Sequence, residues 1–483
     1  MAGEKTIISN RHPSYSSWVE QWSFFKHSYL GGADYISENL FRYFKEGDQE
    51  FIGRAKRAYR ENHTKRVVDL INTYLFKAQA VRETENTLIA EFMDDIDGRG
   101  KTADRFMKTA SQWASVMGRV YIVVDKMPIP EEQKTGTQAD NLKSKPYCYL
   151  IFPQDVLDIA FDDAGRVKWA LIRESYRDDS DPFTASQTVE VQYRLWEVAK
   201  WTLFDDAGKD IDKGETGLDC VPIIILDNEE QEEYAGQSLI SDIAYIDRAI
   251  FNNWSRLDTI VCDQTFSQLI FPIEGLAADI ITDDNLRQQF MTLATNRIIL
   301  YSAQAQAAPA FISPDASQAQ FILTMIERQT KQLYATLGLQ SETGTESNTQ
   351  SGVAKAFDFD KLNKLLANKA DNLEQAEWEV YSIGAKWMGI TGDVDVLVDY
   401  PEEFDVKTLA DEIKVAQELA LLDISVTFTK EINKLIVQKA IPKAEDKTIK
   451  DIYAEIDAGA EPEKDAIKKS VFPFDKKDTE KEE

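Results

Sequence analysis

Between residue 238 and about residue 389 the sequence reads as helix, compact insert, helix, polar loop and a second, very long helix. The first helix is expected over residues 238–269, because Leu239, Ile243, Ile246, Ile250, Trp254, Leu257 and Val261 recur at helical spacing. Residues 272–314 make the insert and 316–337 the partner helix, with Asp315 placed to cap its start. A polar loop, 341–351, follows. A helix of roughly 38 residues from Gly352 then spans on the order of 57 Å at 1.5 Å per residue. Such lengths suit a protein that builds a long wall or tube better than one that closes over a small substrate.

A chain of 483 residues folds as about two to four domains or as one elaborated body with a large core. The longest aliphatic run, Val221 to Leu226, is far short of the ~20 apolar residues that cross a bilayer. The first 17 residues lack the apolar core of a secretory signal, so a soluble protein without an export address is expected. Cys148, Cys220 and Cys262 are widely spaced and match no metal or redox motif, which predicts buried free thiols in a reducing compartment. The three histidines, His12, His27 and His63, all fall early, so a nucleophilic triad or histidine-rich metal site is poorly supplied. No cofactor and no metal are expected.

Lys and Arg total 55 against 83 Asp and Glu, a net charge of −28. A protein that grips nucleic acid through its phosphates should be basic, because counterion release supplies most of that affinity. The acidic balance reads as solubility through self-repulsion, or as a surface that tolerates a polyanion nearby without sticking to it.

Along the chain, residues 1–14 are expected to form a flexible arm. Helices follow at 16–30, broken by Gly31-Gly32, then at 51–59, 62–76, 84–93 and 102–117. The bases Arg54, Lys56, Arg57, Arg60, Lys65 and Arg66 cluster here, as a solvated helical face or as a contact surface for a neighbouring subunit or nucleic acid. Gly100-Lys101-Thr102 suggests a phosphate loop, but the glycine it requires is Asp95. Asp95-Ile96-Asp97-Gly98 suggests a calcium loop, but its first ligand would be Met93. Neither site is expected. Strands are predicted at 118–125, 147–152, 167–174, 188–196, 200–204 and 221–226 from their β-branched density. Asp162-Asp163-Ala164-Gly165 and Asp205-Asp206-Ala207-Gly208 supply hairpin-turn chemistry, so this region should be mostly antiparallel. A strand with alternating carboxylates spans 393–400, helices occupy about 408–421, 429–437 and 448–456, and the charged tail is expected to be disordered.

With these elements in order, the chain resembles the portal proteins of tailed bacteriophages, in the siphophage-type branch. The resemblance rests on Arg57-Ala58-Tyr59-Arg60-Glu61-Asn62 leading into Val67-Val68-Asp69-Leu70-Ile71-Asn72-Thr73-Tyr74-Leu75-Phe76. It rests also on Ala114-Ser115-Val116-Met117-Gly118 feeding Tyr121-Ile122-Val123-Val124-Asp125, and on Gln350-Ser351-Gly352-Val353-Ala354-Lys355 opening the helix that holds Leu373-Glu374-Gln375-Ala376. The resemblance implies an α+β portal fold: helical stem and crown, a mixed α/β wing with antiparallel strands, and a small α/β clip. Residues 15–236 would be the wing, 237–269 and 315–338 the stem helices, and 270–314 the clip. Residues 339–351 would be the tunnel loop, 352–404 the long helix with a wing strand, 405–470 the crown and 471–483 a charged tail.

The implied function is a non-enzymatic ring, usually dodecameric, at one capsid vertex of the virion, assembled in the bacterial host cytoplasm. Such a ring passes double-stranded DNA during packaging and ejection. Its implied partners are the terminase large subunit, the major capsid and scaffolding proteins, and head-completion or adaptor proteins, with no membrane. The loop residues Glu342, Thr343, Thr345, Glu346, Ser347, Asn348, Thr349 and Gln350 would line the channel. They include no base, so they can hydrogen-bond phosphates weakly while the two glutamates repel them. Arg248, Arg256, Arg328 and Lys331 are candidates for a mild positive ring, or for ion pairs with Asp242, Asp247, Asp258 and Glu327. Asp279, Asp283, Asp284, Arg287 and Arg297 are candidate clip contacts to terminase or adaptor, or solvated charges. Two rival readings are a scaffolding or adaptor protein of the virion, and a metal-dependent nuclease with Asp393, Asp395 and Asp399 as ligands.

Overall fold

Helical periodicity dominates the first 117 residues and supplies α1 (Tyr15–Leu30), α2 (Gly32–Asn39), α3 (Asp48–Arg57), α4 (His63–Leu75), α5 (Thr87–Asp94) and α6 (Ala103–Met117), with a short strand β1 (Val81–Glu83) after α4. The computed structural model describes residues 7–126, 145–177, 179, 181–183, 185–231, 233–265, 268–273, 298–302, 310–312, 316–339, 352–390, 392, 394–401, 404, 425–440 and 446–458. In α4, Val67, Val68, Ile71 and Leu75 fall on one face and are fully buried. Asn62 caps that helix by accepting from the Lys65 N–H at 2.8 Å.

α6 turns directly into β2 (Arg119–Lys126), and Gly118 permits the turn. Its φ is +86°, and a Cβ there would stand 2.2 Å from the Gly236 carbonyl oxygen. β2 is the middle strand of an antiparallel sheet between β3 (Pro146–Ile151) and β9 (Ile223–Asp227). Its residues Val120 to Val124 are all buried, as a β-branched run between covered faces requires. A second antiparallel sheet runs in chain order through β4 (Val156–Phe161), β5 (Val167–Tyr176), β6 (Glu190–Glu197), β7 (Lys200–Phe204) and β8 (Asp210–Glu215). Its two Asp-Asp-Ala-Gly turns are built alike. Asp162 Oδ1 accepts from the N–H groups of Ala164 and Arg166, and Asp205 Oδ1 from those of Ala207 and Lys209.

Then come α7 (Ile243–Thr265), a small sheet of β10 (Gln268–Ile273), β11 (Ile298–Ser302) and β12 (Ala310–Ile312), α8 (Ala316–Thr336), and α9 (Gly352–Trp387). β10 pairs parallel with β11 and antiparallel with β12. α9 holds 36 residues, about 54 Å of helix. It packs on α4, α5, α6 and the β3-β2-β9 sheet. β13 (Leu397–Asp399) pairs antiparallel with β1. The chain divides after Phe404. In the second unit α10 (Val426–Ala440) and α11 (Asp446–Ala458) pack together, with Lys434 bonded to Asp457 at 2.8 Å. The fold is thus mixed α/β with antiparallel sheets, β10–β11 being the one parallel pair among the described residues.

Several expectations are corrected. The helix expected over 238–269 begins only at Ile243, because the Ser238 hydroxyl is used to bind α6 at the Ser115 and Val116 carbonyls (3.1 and 2.6 Å). It ends at Thr265, and Gln268 to Ile273 turns to strand. The base cluster is not one solvated face: Arg54 and Arg60 are withdrawn into buried ion pairs, while Lys56, Arg57, Lys65 and Arg66 are exposed. Of the three free cysteines, only Cys148 is fully buried. Among the described residues no helix is long and apolar enough to cross a membrane.

Gly118 and Gly165 both have positive φ, but only Gly118 faces a backbone wall. Gly165→Ala is expected to cost about 1 kcal/mol and Gly118→Ala at least about 3 kcal/mol. Urea midpoints of the two variants beside the parent check the difference.

Candidate functional site

α7 is rooted by a carboxylate that the solvent cannot reach. Asp247 is fully buried and accepts from the Thr64 N–H (3.1 Å), the Thr64 hydroxyl (2.6 Å) and the Arg60 guanidinium. Arg60 also donates to the Ser28 carbonyl at 2.9 Å and lies 3.7 Å over the Tyr35 ring. Further along α7, the Asn252 side chain accepts from the Phe41 N–H and donates to the Asn39 carbonyl, both at 2.9 Å. Ser255 accepts from Arg54 at 2.9 Å, and Arg54 grips Glu46 with two 2.7 Å bonds.

α8 is fixed at its other end. Leu333, Tyr334 and Leu337 are buried, and the Tyr334 hydroxyl meets His63 Nδ1 at 3.3 Å. Asn253 donates to Gln329 at 3.0 Å and cross-links the two helices. The N-terminal end of α7 and the C-terminal end of α8 are therefore both rooted in the body, and the pair runs antiparallel away from it. Burial falls off outward: Phe321 is 66% and Met325 37% exposed. With Arg328 these residues lie at i, i+4 and i+7 on one helical face.

The four predicted bases separate. Arg248 sits at the root of α7, its guanidinium 4.8, 5.4 and 5.1 Å from the rings of Phe24, Phe41 and Tyr245. Arg256, Arg328 and Lys331 are exposed within about two turns of the Asn253–Gln329 bridge, and Arg256 donates to Asn253 at 3.0 Å. Asp247 and Asp258, considered as their ion-pair partners, are bonded instead to Arg60 and Arg57. Glu342, Thr343, Thr345, Glu346, Ser347, Asn348, Thr349 and Gln350 lie outside the described residues, as do Asp279, Asp283, Asp284, Arg287, Arg297 and Asp315. So does Asp393. Asp395 gives its carbonyl to the Thr84 hydroxyl, and Asp399 lies opposite Val81 in the β1–β13 ladder. Among the described residues no group of three or more His, Cys, Asp or Glu is placed to hold a metal ion.

Sequence reading missed two buried charges on α9. Glu377 is fully buried and accepts from Arg82 (2.6 Å), Tyr381 (2.5 Å) and Tyr400 (2.5 Å). Lys369 is buried with no carboxylate among its bonds: its amine donates to Ser115 Oγ at 2.8 Å and Asn228 Oδ1 at 2.6 Å. Burial lowers its pKa from 10.5 to about 7. The signal was present, since Lys369 and Glu377 continue the spacing of Leu362, Leu366 and Leu373 on the buried stripe of α9. Beyond them, α9, β9 and the β4–β5 hairpin wall a cleft of about 910 Å³. The buried Arg119–Asp227 pair, bonded at 2.6 and 2.8 Å, stands in its wall.

No family model matches the sequence, and no curated protein matches it. Among solved structures, a chain from the neck of an empty GTA particle, computed with C6 symmetry, is similar at a TM-score of 0.39 and 9% identity. The likeness covers 81% of this chain and 94% of that one, and at that score it carries no weight for fold or function.

The unfolded chain holds a proton on Lys369 up to about pH 10.5 and the folded chain only to about pH 7. Between those values the unfolded state binds more protons, so stability rises with pH, by at most about 1.4 kcal/mol per pH unit from this residue. Urea unfolding from pH 7 to 8.5 should show that rise, and Lys369→Met should flatten it.

Proposed function

We infer that the chain is one subunit of a portal-type ring through which double-stranded DNA passes at a capsid vertex. The observation that carries this reading is the α7–α8 pair. Its inner ends are locked into the body by buried ion pairs and hydrogen bonds, while its outer half leaves Phe321 and Met325 bare. A monomer gains little from projecting such a pair into water. Copies arranged side by side would cover the bare face and form the wall of a tube.

In this reading α7 and α8 form the stem, the β10–β12 sheet belongs to the docking end, and α9 carries the chain back from the bore. Arg256, Arg328 and Lys331 supply a sparse positive ring. Residues 341–351 are assigned to the bore on their sequence chemistry and the resemblance. The net charge of −28 suits a conduit that must release its cargo, since each strong phosphate contact adds a barrier to sliding. Terminase, capsid and head-completion proteins are the partners this role requires. The order of elements and the motifs around Arg57, Ala114 and Gln350 support it.

Mass photometry with negative-stain imaging tests the reading. The expected outcome is a closed ring with an axial channel wide enough for duplex DNA. A stable monomer that cleaves DNA when magnesium is added overturns it. Burial of one phenylalanine contributes about 1.5–3 kcal/mol, so Phe321→Glu should raise the assembly concentration roughly tenfold or more.

A further inference from the structure

The segment between α2 and α3 is an aromatic projection that the chain itself does not cover. Phe44 is 98% exposed, and Phe41 and Tyr43 are half to one-third exposed beside it. The projection is nevertheless held firmly. Arg54, buried beneath it, donates to the Phe41 carbonyl at 2.7 Å, holds Glu46 with two bonds and lies 4.5 Å over the Tyr43 ring. Leu40 packs with Tyr35 and Phe251. A rigid, exposed phenylalanine pre-organised by a buried ion pair is what an interface anchor requires, because little entropy is lost on docking.

The 910 Å³ cleft offers the complement. Its lining includes Trp378, 48% exposed, with Ile383, Val394 and the thiol of Cys220. Charges match across the two features. Lys45, on the projection, is exposed and is in no ion pair among the described residues. Glu230 and Glu233 stand exposed at the cleft, while its bases Arg119, Arg166 and Lys386 are each bonded to a carboxylate. A closed ring needs two different, complementary surfaces on each subunit, and these two qualify.

We propose that Phe44 and its neighbours dock into the α9–β9 cleft of an adjacent copy of this chain, forming a body-level contact beside the α7–α8 contact. This rests on the ring reading, and the test separates the two. Phe44→Cys, joined by a short bismaleimide to the native Cys220, should yield a ladder of covalent multimers. The 44–220 peptide pair should link separate chains, which mixed isotope-labelled subunits reveal, and Cys220→Ser should abolish it. Lys45→Glu should weaken assembly severalfold, and adding Glu230→Lys with Glu233→Lys should restore it. Rings that form without the 44–220 link and tolerate the charge reversal overturn this contact and leave the ring intact. A link confined to one chain also overturns it. A chain that never assembles overturns both.

Discussion

The root of α7 turns on Asp247. A carboxylate fully removed from water is tolerable only when its charge is matched, and Arg60 matches it while the Thr64 N–H and hydroxyl both donate to the same oxygen, Oδ2. Arg60 in turn reaches the end of α1 through the Ser28 carbonyl and lies on Tyr35 of α2. One ion pair thus fixes α7 against three earlier elements. The Asn253–Gln329 bond passes that orientation to α8. Removing one member of such a pair costs about 3–5 kcal/mol because the other charge remains buried.

The same economy of charge recurs across the first unit. Arg54 with Glu46, Arg82 with Glu377 and Arg119 with Asp227 are each removed from solvent and bonded at more than one atom. Burial works against the Arg119 charge, yet its bonds to Asp227 outweigh that and leave its pKa above the ordinary value. Lys369 departs from the pattern, sharing its amine between two neutral oxygens where α9 crosses α6. Each of these pairs is neutral, so the whole net charge of −28 lies outside them and the chain as a whole repels polyanions.

Much of the architecture was legible because burial imposes a period. α4, α6 and β2 read correctly from their apolar spacing, and both Asp-Asp-Ala-Gly hairpins read from turn chemistry. β4 was missed because a bulge breaks its alternation, and β8 because Asp210 to Glu215 buries almost nothing. The start of α7 was misplaced because Ser238 and Leu239 look helical in isolation but bind α6 through a tertiary contact. The withdrawal of Arg54 and Arg60 had no local signal either, since their partners are Glu46, Ser255 and Asp247 on other elements. The helix pair was foreseen. The exposed face of α8 was not, because bare and covered apolar residues share one sequence pattern.

The outermost strand of the five-stranded meander has a consequence for how copies meet. β8 reads Asp-Ile-Asp-Lys-Gly-Glu and is exposed along nearly its whole length, with Gly214 pressed against the Trp201 ring. An edge with unspent backbone donors and acceptors ordinarily invites another strand, but one studded with charge repels that approach. Copies of this chain are thereby discouraged from zipping sheet to sheet into open fibres. Any contact made at this edge is left to side-chain fit rather than to a continued ladder.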